Sequence, residues 1–186
     1  MTVTLLAFAA SLRTDSLNRR LLHAAVEIAR QKGAQVDVAD FHEFDMPLYD
    51  GDLQVREGIP AGAQELARRL QAADGLLLAS PEYNFSIPGT LKNAIDWVSR
   101  IRPLPFKGKS ALLLSTSTGL VGGNRGLWVL RVPLEMLGMQ VYPDMYSLAS
   151  GDKAMDPAGF PVDPAAKLRL ETMIGGYLDT ALRLRG

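Results

Sequence analysis

Val3-Thr4-Leu5-Leu6-Ala7-Phe8-Ala9-Ala10-Ser11-Leu12-Arg13-Thr14-Asp15-Ser16-Leu17-Asn18 begins with an apolar run and then turns abruptly polar. Val3–Phe8 has the length of a strand, and the polar residues behind it mark its end, so it reads as a buried strand. Leu17, Leu21, Leu22, Ala25, Ile28 and Ala29 then recur at helical spacing, and Gly33 stops the helix. Strand, polar loop and amphipathic helix in this order are the opening half of a βαβ unit.

The same alternation continues outward. Gln35–Ala39 alternates as a second strand. Phe41 to Gly58 has no clear period and holds Pro47 and Gly51; loops this long usually carry function or short structure of their own. Ala61–Ala73 reads as a helix with Leu66 and Leu70 inward, and Gly75–Ser80 as a strand covered on both faces. Pro88 suits a first helical turn, continued by Leu91, Ala94, Ile95 and Val98. Ser110–Ser115 is the fourth strand, Arg125–Leu137 a helix ended by Gly138, and Gln140–Tyr142 a short fifth strand. A stretch with Gly151, Pro157, Gly159, Pro161 and Pro164 precedes a last helix, Ala165–Leu184. This pattern specifies a single α/β domain, with right-handed crossovers and helices on both faces of a parallel sheet. Ligands of such sheets bind outside the carboxyl ends of the strands, so the loops after strands one, three and four are where chemistry is expected.

Composition narrows the classes. Lys+Arg and Asp+Glu both number 20, so no net charge calls for nucleic acid, and no basic run supplies a local patch. No apolar run approaches the roughly 20 residues that span a bilayer, and the expectation is a soluble cytoplasmic protein without a membrane partner. The absence of cysteine excludes disulfides, thiolate nucleophiles and cysteine-held zinc or iron–sulfur clusters. His23 and His42 form no metal-ligand pattern, and His23 reads as a packed helix residue. Redox chemistry would therefore need an organic cofactor.

In the first loop, Ser11, Thr14 and Ser16 bring hydroxyls, Arg13 a guanidinium and Asn18 an amide to a helix N-terminus. Unpaired N–H groups and a partial positive charge attract phosphate there, and arginine can grip two oxygens at once. The plainer alternative is that Asp15 or Ser16 only caps the helix. Rival phosphate motifs fail. Gly108-Lys109-Ser110 resembles the tail of a P-loop, but Pro103 stands where that motif needs glycine and a strand follows instead of preceding it. No G-x-G-x-x-G follows strand one. Strand three ends Leu78-Ala79-Ser80, without the aspartate of a receiver domain.

Pro81-Glu82-Tyr83-Asn84-Phe85-Ser86-Ile87-Pro88-Gly89 follows strand three, stiffened by proline at both ends. Tyr83 or Phe85 could face a flat heteroaromatic ring, with Asn84 and the backbone at its edge; equally, the aromatics could be core plugs. Glu82 as a general acid lacks a paired carboxylate. Ser115-Thr116-Ser117-Thr118-Gly119-Leu120-Val121-Gly122-Gly123-Asn124-Arg125 follows strand four, small enough for close ligand approach or simply a flexible connection. Trp97 and Trp128 sit at helical positions and read as core or interface residues before ligand-stacking ones, and Asn93 to Trp97 could contribute to a subunit contact.

These three loops together resemble the NADPH-dependent FMN reductase family, which includes quinone, azo-dye and chromate reductases. Pro81-Glu82-Tyr83-Asn84 followed by Pro88-Gly89-Thr90-Leu91-Lys92-Asn93-Ala94-Ile95-Asp96-Trp97 is the most specific piece. The first loop matches G-S-x-R-x-x-S-x-N except that Ala10 replaces glycine, and the third resembles S-x-S-x-G-x-x-G-G-x-R. The resemblance implies a flavodoxin-like three-layer sandwich with a five-stranded parallel sheet in the order 2-1-3-4-5. It implies that Ser11, Arg13, Ser16, Leu17 and Asn18 hold the phosphate of FMN. Pro81, Glu82, Tyr83 and Asn84 would line its ring, and Ser115, Thr116, Ser117 and Gly119 its pyrimidine side or ribityl chain. NADPH or NADH would be the reductant, a quinone or similar small molecule the acceptor, and a homodimer or homotetramer the assembly. A flavodoxin-type carrier and a non-redox binder of phosphorylated metabolites are the alternatives. Ala10 would distort the phosphate turn if that turn needs a positive φ.

Overall fold

The computed structural model describes residues 2–185. Strand β1 (Thr4–Ala9) pairs in parallel with β2 (Gln35–Ala39) on one side and β3 (Gly75–Ala79) on the other. Beyond β3 lies β4 (Ser110–Thr116), and at the far edge β5 (Gln140–Val141), giving the order β2-β1-β3-β4-β5. The expected order is therefore observed, with one correction. The fifth strand is broken into β5, which pairs with Ser110 and Ala111, and β6 (Tyr146–Leu148), which pairs with Leu114–Thr116. Pro143 lies in the gap, and proline has no N–H to give to a ladder.

Helices α1 (Leu17–Gln31) and α7 (Pro164–Leu184) cover one face of the sheet. The other face carries α3 (Ala61–Ala72), α4 (Gly89–Val98) and α5 (Asn124–Met136). Leu5, Ala7 and Ala9 of β1 point toward α1 and α7, while Leu6 and Phe8 point the other way. Both faces of the strand are thus buried, which is why it reads as a continuous apolar run instead of an alternating one.

The stretch Phe41–Gly58, aperiodic in sequence, holds a 3₁₀ turn at Phe41–Phe44 and the short helix α2 (Gly51–Glu57). At four and seven residues, neither is long enough to show a hydrophobic period. Their caps are local: Asp40 and Glu43 form a reciprocal capping box, and Asp50 accepts from Asp52 N and Leu53 N. Phe41 and Phe44 pack with Phe8, and the nearby Arg69 bridges Asp37 and Glu43. Gly62 lets the Phe44–Asp45 strap cross the first turn of α3, because a Cβ there would stand 2.1 Å from the Asp45 carbonyl oxygen. The strap continues to Pro47, whose carbonyl accepts from Asn93 Nδ2 and Trp97 Nε1, while Tyr49 N donates to Asn93 Oδ1.

Trp97 is fully buried, as its core-or-interface reading allows, and it holds this strap, so of the Asn93–Trp97 pattern this side chain offers no surface to a subunit contact. One side chain departs from expectation. His23 is exposed on α1 and is not packed. Short helix α6 (Gly151–Ala154) follows β6, and no helix among the described residues is long and apolar enough to cross a membrane.

Candidate functional site

Three loops meet at the carboxyl end of β1, β3 and β4. Ser16 is the N-cap of α1, its Oγ accepting from Arg19 N at 3.2 Å. Ser11 Oγ accepts from Arg13 N at 3.4 Å. Each hydroxyl thereby accepts along the chain and keeps its proton to donate to another group. The N–H groups of Leu17 and Asn18 lie in the first helical turn, where no helical carbonyl precedes them. Arg13 is exposed and makes no ion pair among the described residues. Ala10 is buried, donates its N–H to Ala79 O at 2.8 Å, and has no positive φ. The methyl group therefore sits in the core without straining the turn.

Asn18 has a different task from the one its neighbours suggest. Its Nδ2 donates to Thr116 O at 2.9 Å, and its Oδ1 accepts from Thr116 N at 3.0 Å. This buried two-point contact ties α1 to the end of β4 and so fixes the first loop against the third.

In the second loop, Tyr83 to Ser86 form a hairpin turn closed by two 2.9 Å backbone bonds, Tyr83 N to Ser86 O and Ser86 N to Tyr83 O. Asn84 and Phe85 have φ of 49° and 65°, the pair of positive values that a type I′ turn requires. Asparagine tolerates that region, whereas a bulky residue rarely enters it. Phe85 is held there from outside by the Arg125 guanidinium, 3.9 Å from its ring centroid. Arg125 in turn pairs with Glu82 at 2.7 Å, and the other Glu82 oxygen accepts from Gly126 N at 3.2 Å. The Glu82 side chain is only 9% exposed. Its charge faces the N-terminus of α5, where the helix dipole favours an anion, so its carboxylate joins the second loop to α5 and does not face an open cleft as a general acid would. Tyr83 and Phe85 leave substantial surface open at the rim, which overturns the core-plug alternative.

Replacement of Glu82 by alanine is expected to cost about 1–3 kcal/mol of stability, because Gly126 N–H and Arg125 lose their partner. Glu82→Gln, which keeps an acceptor, should recover part of that loss; thermal denaturation of both variants measures it.

In the third loop, Ser115 Oγ donates to Ser80 O at 2.7 Å and Thr116 Oγ1 to Leu148 O at 2.8 Å. These buried hydroxyls brace the strand ends. Ser117 Oγ instead accepts from Gly119 N at 3.3 Å, leaving its proton to donate at the surface. Gly123 has φ of 81°, and a Cβ there would stand 1.9 Å from Ser115 Oγ, so only glycine lets α5 start against β4.

Residues 3–153 match the family described as NADPH-dependent FMN reductase. The chain belongs to that family. It is 34% identical over 186 residues to an NAD(P)H-dependent FMN reductase of Pseudomonas aeruginosa, covering 99% of this chain and 98% of that one. A quinone reductase of Escherichia coli is 42% identical over 142 residues, 75% of this chain and 71% of the relative. Among solved structures, a flavoenzyme NAD(P)H:(acceptor) oxidoreductase of Paracoccus denitrificans superposes with a TM-score of 0.82 at 28% identity, over 98% of both chains. An archaeal flavodoxin shares the fold at a TM-score of 0.63 and 10% identity.

Sequence reasoning passed over Arg19 and Asp40. Arg19 donates to Ser11 O at 3.5 Å and lies 3.7 Å from Asp40, bracing the phosphate-loop candidate from beneath. Two hydrogen bonds that Asp40 accepts, from the His42 backbone N–H and from its ring Nδ1, hold the Asp40 carboxyl below the usual aspartate range. Arg125 and Phe85, both named from sequence, are joined only by the fold into the outer clamp. Arg125 stood in the matched pattern, but nothing local names its partner.

Proposed function

We infer that this chain binds FMN in the three-loop cleft and uses NADPH or NADH to reduce quinones or similar small acceptors, such as azo compounds, chromate or free flavin. The observation carrying this reading is the group of donors gathered around the α1 N-terminus: the Ser11 and Ser16 hydroxyls, the Leu17 and Asn18 N–H groups, and Arg13, which makes no ion pair among the described residues. Such a set suits a phosphate monoester, because the helix end and one cation together oppose its charge. The exposed faces of Tyr83 and Phe85 and the donor at Ser117 suit a flat ring with polar edges.

The bound flavin supplies reversible two-electron transfer between a reduced nicotinamide and an acceptor. The chain's own residues do the rest. Arg13 and the first turn of α1 anchor one end of the cofactor. The Glu82–Arg125–Phe85 clamp holds the Tyr83–Ser86 turn at a fixed height, and the Asn18–Thr116 tie sets the distance between the first and third loops. No side chain is required as acid or base. Reductant and acceptor share one open face in turn, which is a ping-pong cycle. Anaerobic addition of NADPH to the FMN-loaded protein should bleach the flavin spectrum, and reoxidation by a quinone should restore it. Steady-state lines that intersect instead of running parallel would overturn the single shared face. Quinone reduction without a partner protein separates this reading from an electron carrier, and failure to take up FMN would favour a non-redox binder.

Self-association as a homodimer or homotetramer is part of the same reading. Trp128, Val132 and Met136 form an exposed apolar stripe along α5, and Leu120 and Val121 in the loop before that helix are exposed as well. Exposed apolar patches of this kind commonly mark interfaces. Trp128→Glu should lower the mass found by light scattering; an unchanged mass would remove this face from the interface.

A further inference from the structure

The segment after the break in the fifth strand reaches the third loop and ties its backbone in place. β6 runs beside Leu114–Thr116, and the turn behind it donates twice, Gly151 N to Ser117 O at 2.8 Å and Ser150 N to Gly119 O at 3.1 Å. The peptide bonds here are trans, and in a trans unit the carbonyl and the following N–H point in opposite directions. With Ser117 O and Gly119 O turned toward residues 150 and 151, the N–H groups of Thr118 and Leu120 are turned away from them. The turn thus sets which way the donors of the loop face.

The turn is itself fixed. Ser150 has φ of 50° and ψ of 42°, a left-handed conformation that serine rarely adopts, and its carbonyl accepts from Lys153 N and Ala154 N at 2.8 Å each. Gly151 is buried against Thr116, and a Cβ on it would overlap Thr116 Oγ1, whose proton is already given to Leu148 O. Gly122 approaches from the loop side, where a Cβ would stand 2.6 Å from the Leu148 carbonyl carbon. β6 is anchored in turn by Arg169, which donates to Ser147 O at 2.8 Å, and by Asn124, which donates to Ser147 Oγ at 3.0 Å. Turn and loop therefore meet main chain against main chain, and a displaced turn carries the loop with it.

We propose that Ser150 and Gly151 are positioning residues, whose N–H groups hold Ser117–Gly119 in the orientation that the ring side of the cofactor needs. This rests on the FMN reading given above. Gly151→Ala drives a methyl group into Thr116 Oγ1 and displaces the turn. Affinities for FMN and for riboflavin should fall together by about tenfold or more, the scale of losing both hydrogen bonds, because this loop serves the ring and not the phosphate. The absorption bands of the bound flavin should shift as well. Thr116→Ala clears the space, so on that background Gly151→Ala should cost less than about a further twofold, a coupling expected of residues in contact. Thr116→Val keeps an atom in the place of Oγ1 and should give no such relief. Hydrogen exchange of the flavin-free protein supplies a second readout. The Ser150 and Gly151 amides should be protected in the wild type, unprotected in Gly151→Ala, and protected again when Thr116→Ala is added. Lowered thermal stability with both flavin affinities unchanged, a loss confined to FMN, or a loss that Thr116→Ala does not relieve overturns the proposal. If the wild type shows this exchange pattern yet takes up neither flavin, the tie stands and the FMN reading falls.

Discussion

Replacing Arg13 with alanine is expected to weaken FMN binding by about 10- to 100-fold, the scale of losing charge-assisted hydrogen bonds to a phosphate. The reason is that Arg13 is the one cation of this loop without a competing partner. Arg19 is committed to Ser11 O and Asp40, whereas Arg13 makes no ion pair among the described residues. Arg13→Lys should fall between wild type and Arg13→Ala, since an ammonium keeps the charge and loses the planar two-point grip. Affinity for riboflavin, which has no phosphate, should be indifferent to all three side chains. The deficit in FMN affinity should narrow at high salt, where an exposed charge is screened. Fluorescence titration with both flavins at two ionic strengths measures each of these. An equal loss for riboflavin and FMN would mean that Arg13 shapes the loop and does not contact a phosphate.

Asn18→Ala is the second large effect, and it acts through structure. Both Thr116 backbone groups lose their partner in a buried setting, and each unsatisfied group costs about 1–3 kcal/mol, so a total of roughly 2–6 kcal/mol is expected. A marginally stable domain loses a large part of its stability by such a change. FMN affinity should drop as well, because the first and third loops are no longer held to one another. Asn18→Asp should not rescue: one oxygen can still accept from Thr116 N, but the other faces the Thr116 carbonyl, acceptor against acceptor. Denaturant unfolding of both variants provides the measurement, and wild-type stability in Asn18→Ala would show that the tie is unimportant.

The contrast between Arg13 and Asn18 shows how far sequence reading reached. The helix N-terminus at Ser16 was legible because its determinants are adjacent: a capping hydroxyl, a run of helical periodicity behind it, and a strand before it. Glu82 and Asn18 stood inside matched patterns, yet their partners lie 44 and 98 positions away, and no local rule names a partner at that distance. The family resemblance implies Ser115 and Thr116 as ligand contacts, whereas their hydroxyls turn inward to Ser80 O and Leu148 O. The doubt attached to Ala10 was a local question whose answer depended on a φ value that sequence does not carry.

The sequence by itself determined the layer architecture, the strand order implied by the family resemblance, the phosphate-loop candidate and the family. These follow from periodicity, from cap and breaker residues, and from motifs, all carried by short stretches of chain. The tertiary structure alone decided the break of the fifth strand, the two short elements within Phe41–Gly58, the Glu82–Arg125–Phe85 clamp and the strap bearing Asp45. Each depends on which distant groups come to share buried space. That pairing is set when the sheet closes and the layers pack, because a buried donor or acceptor must then find whatever partner the fold has brought to it.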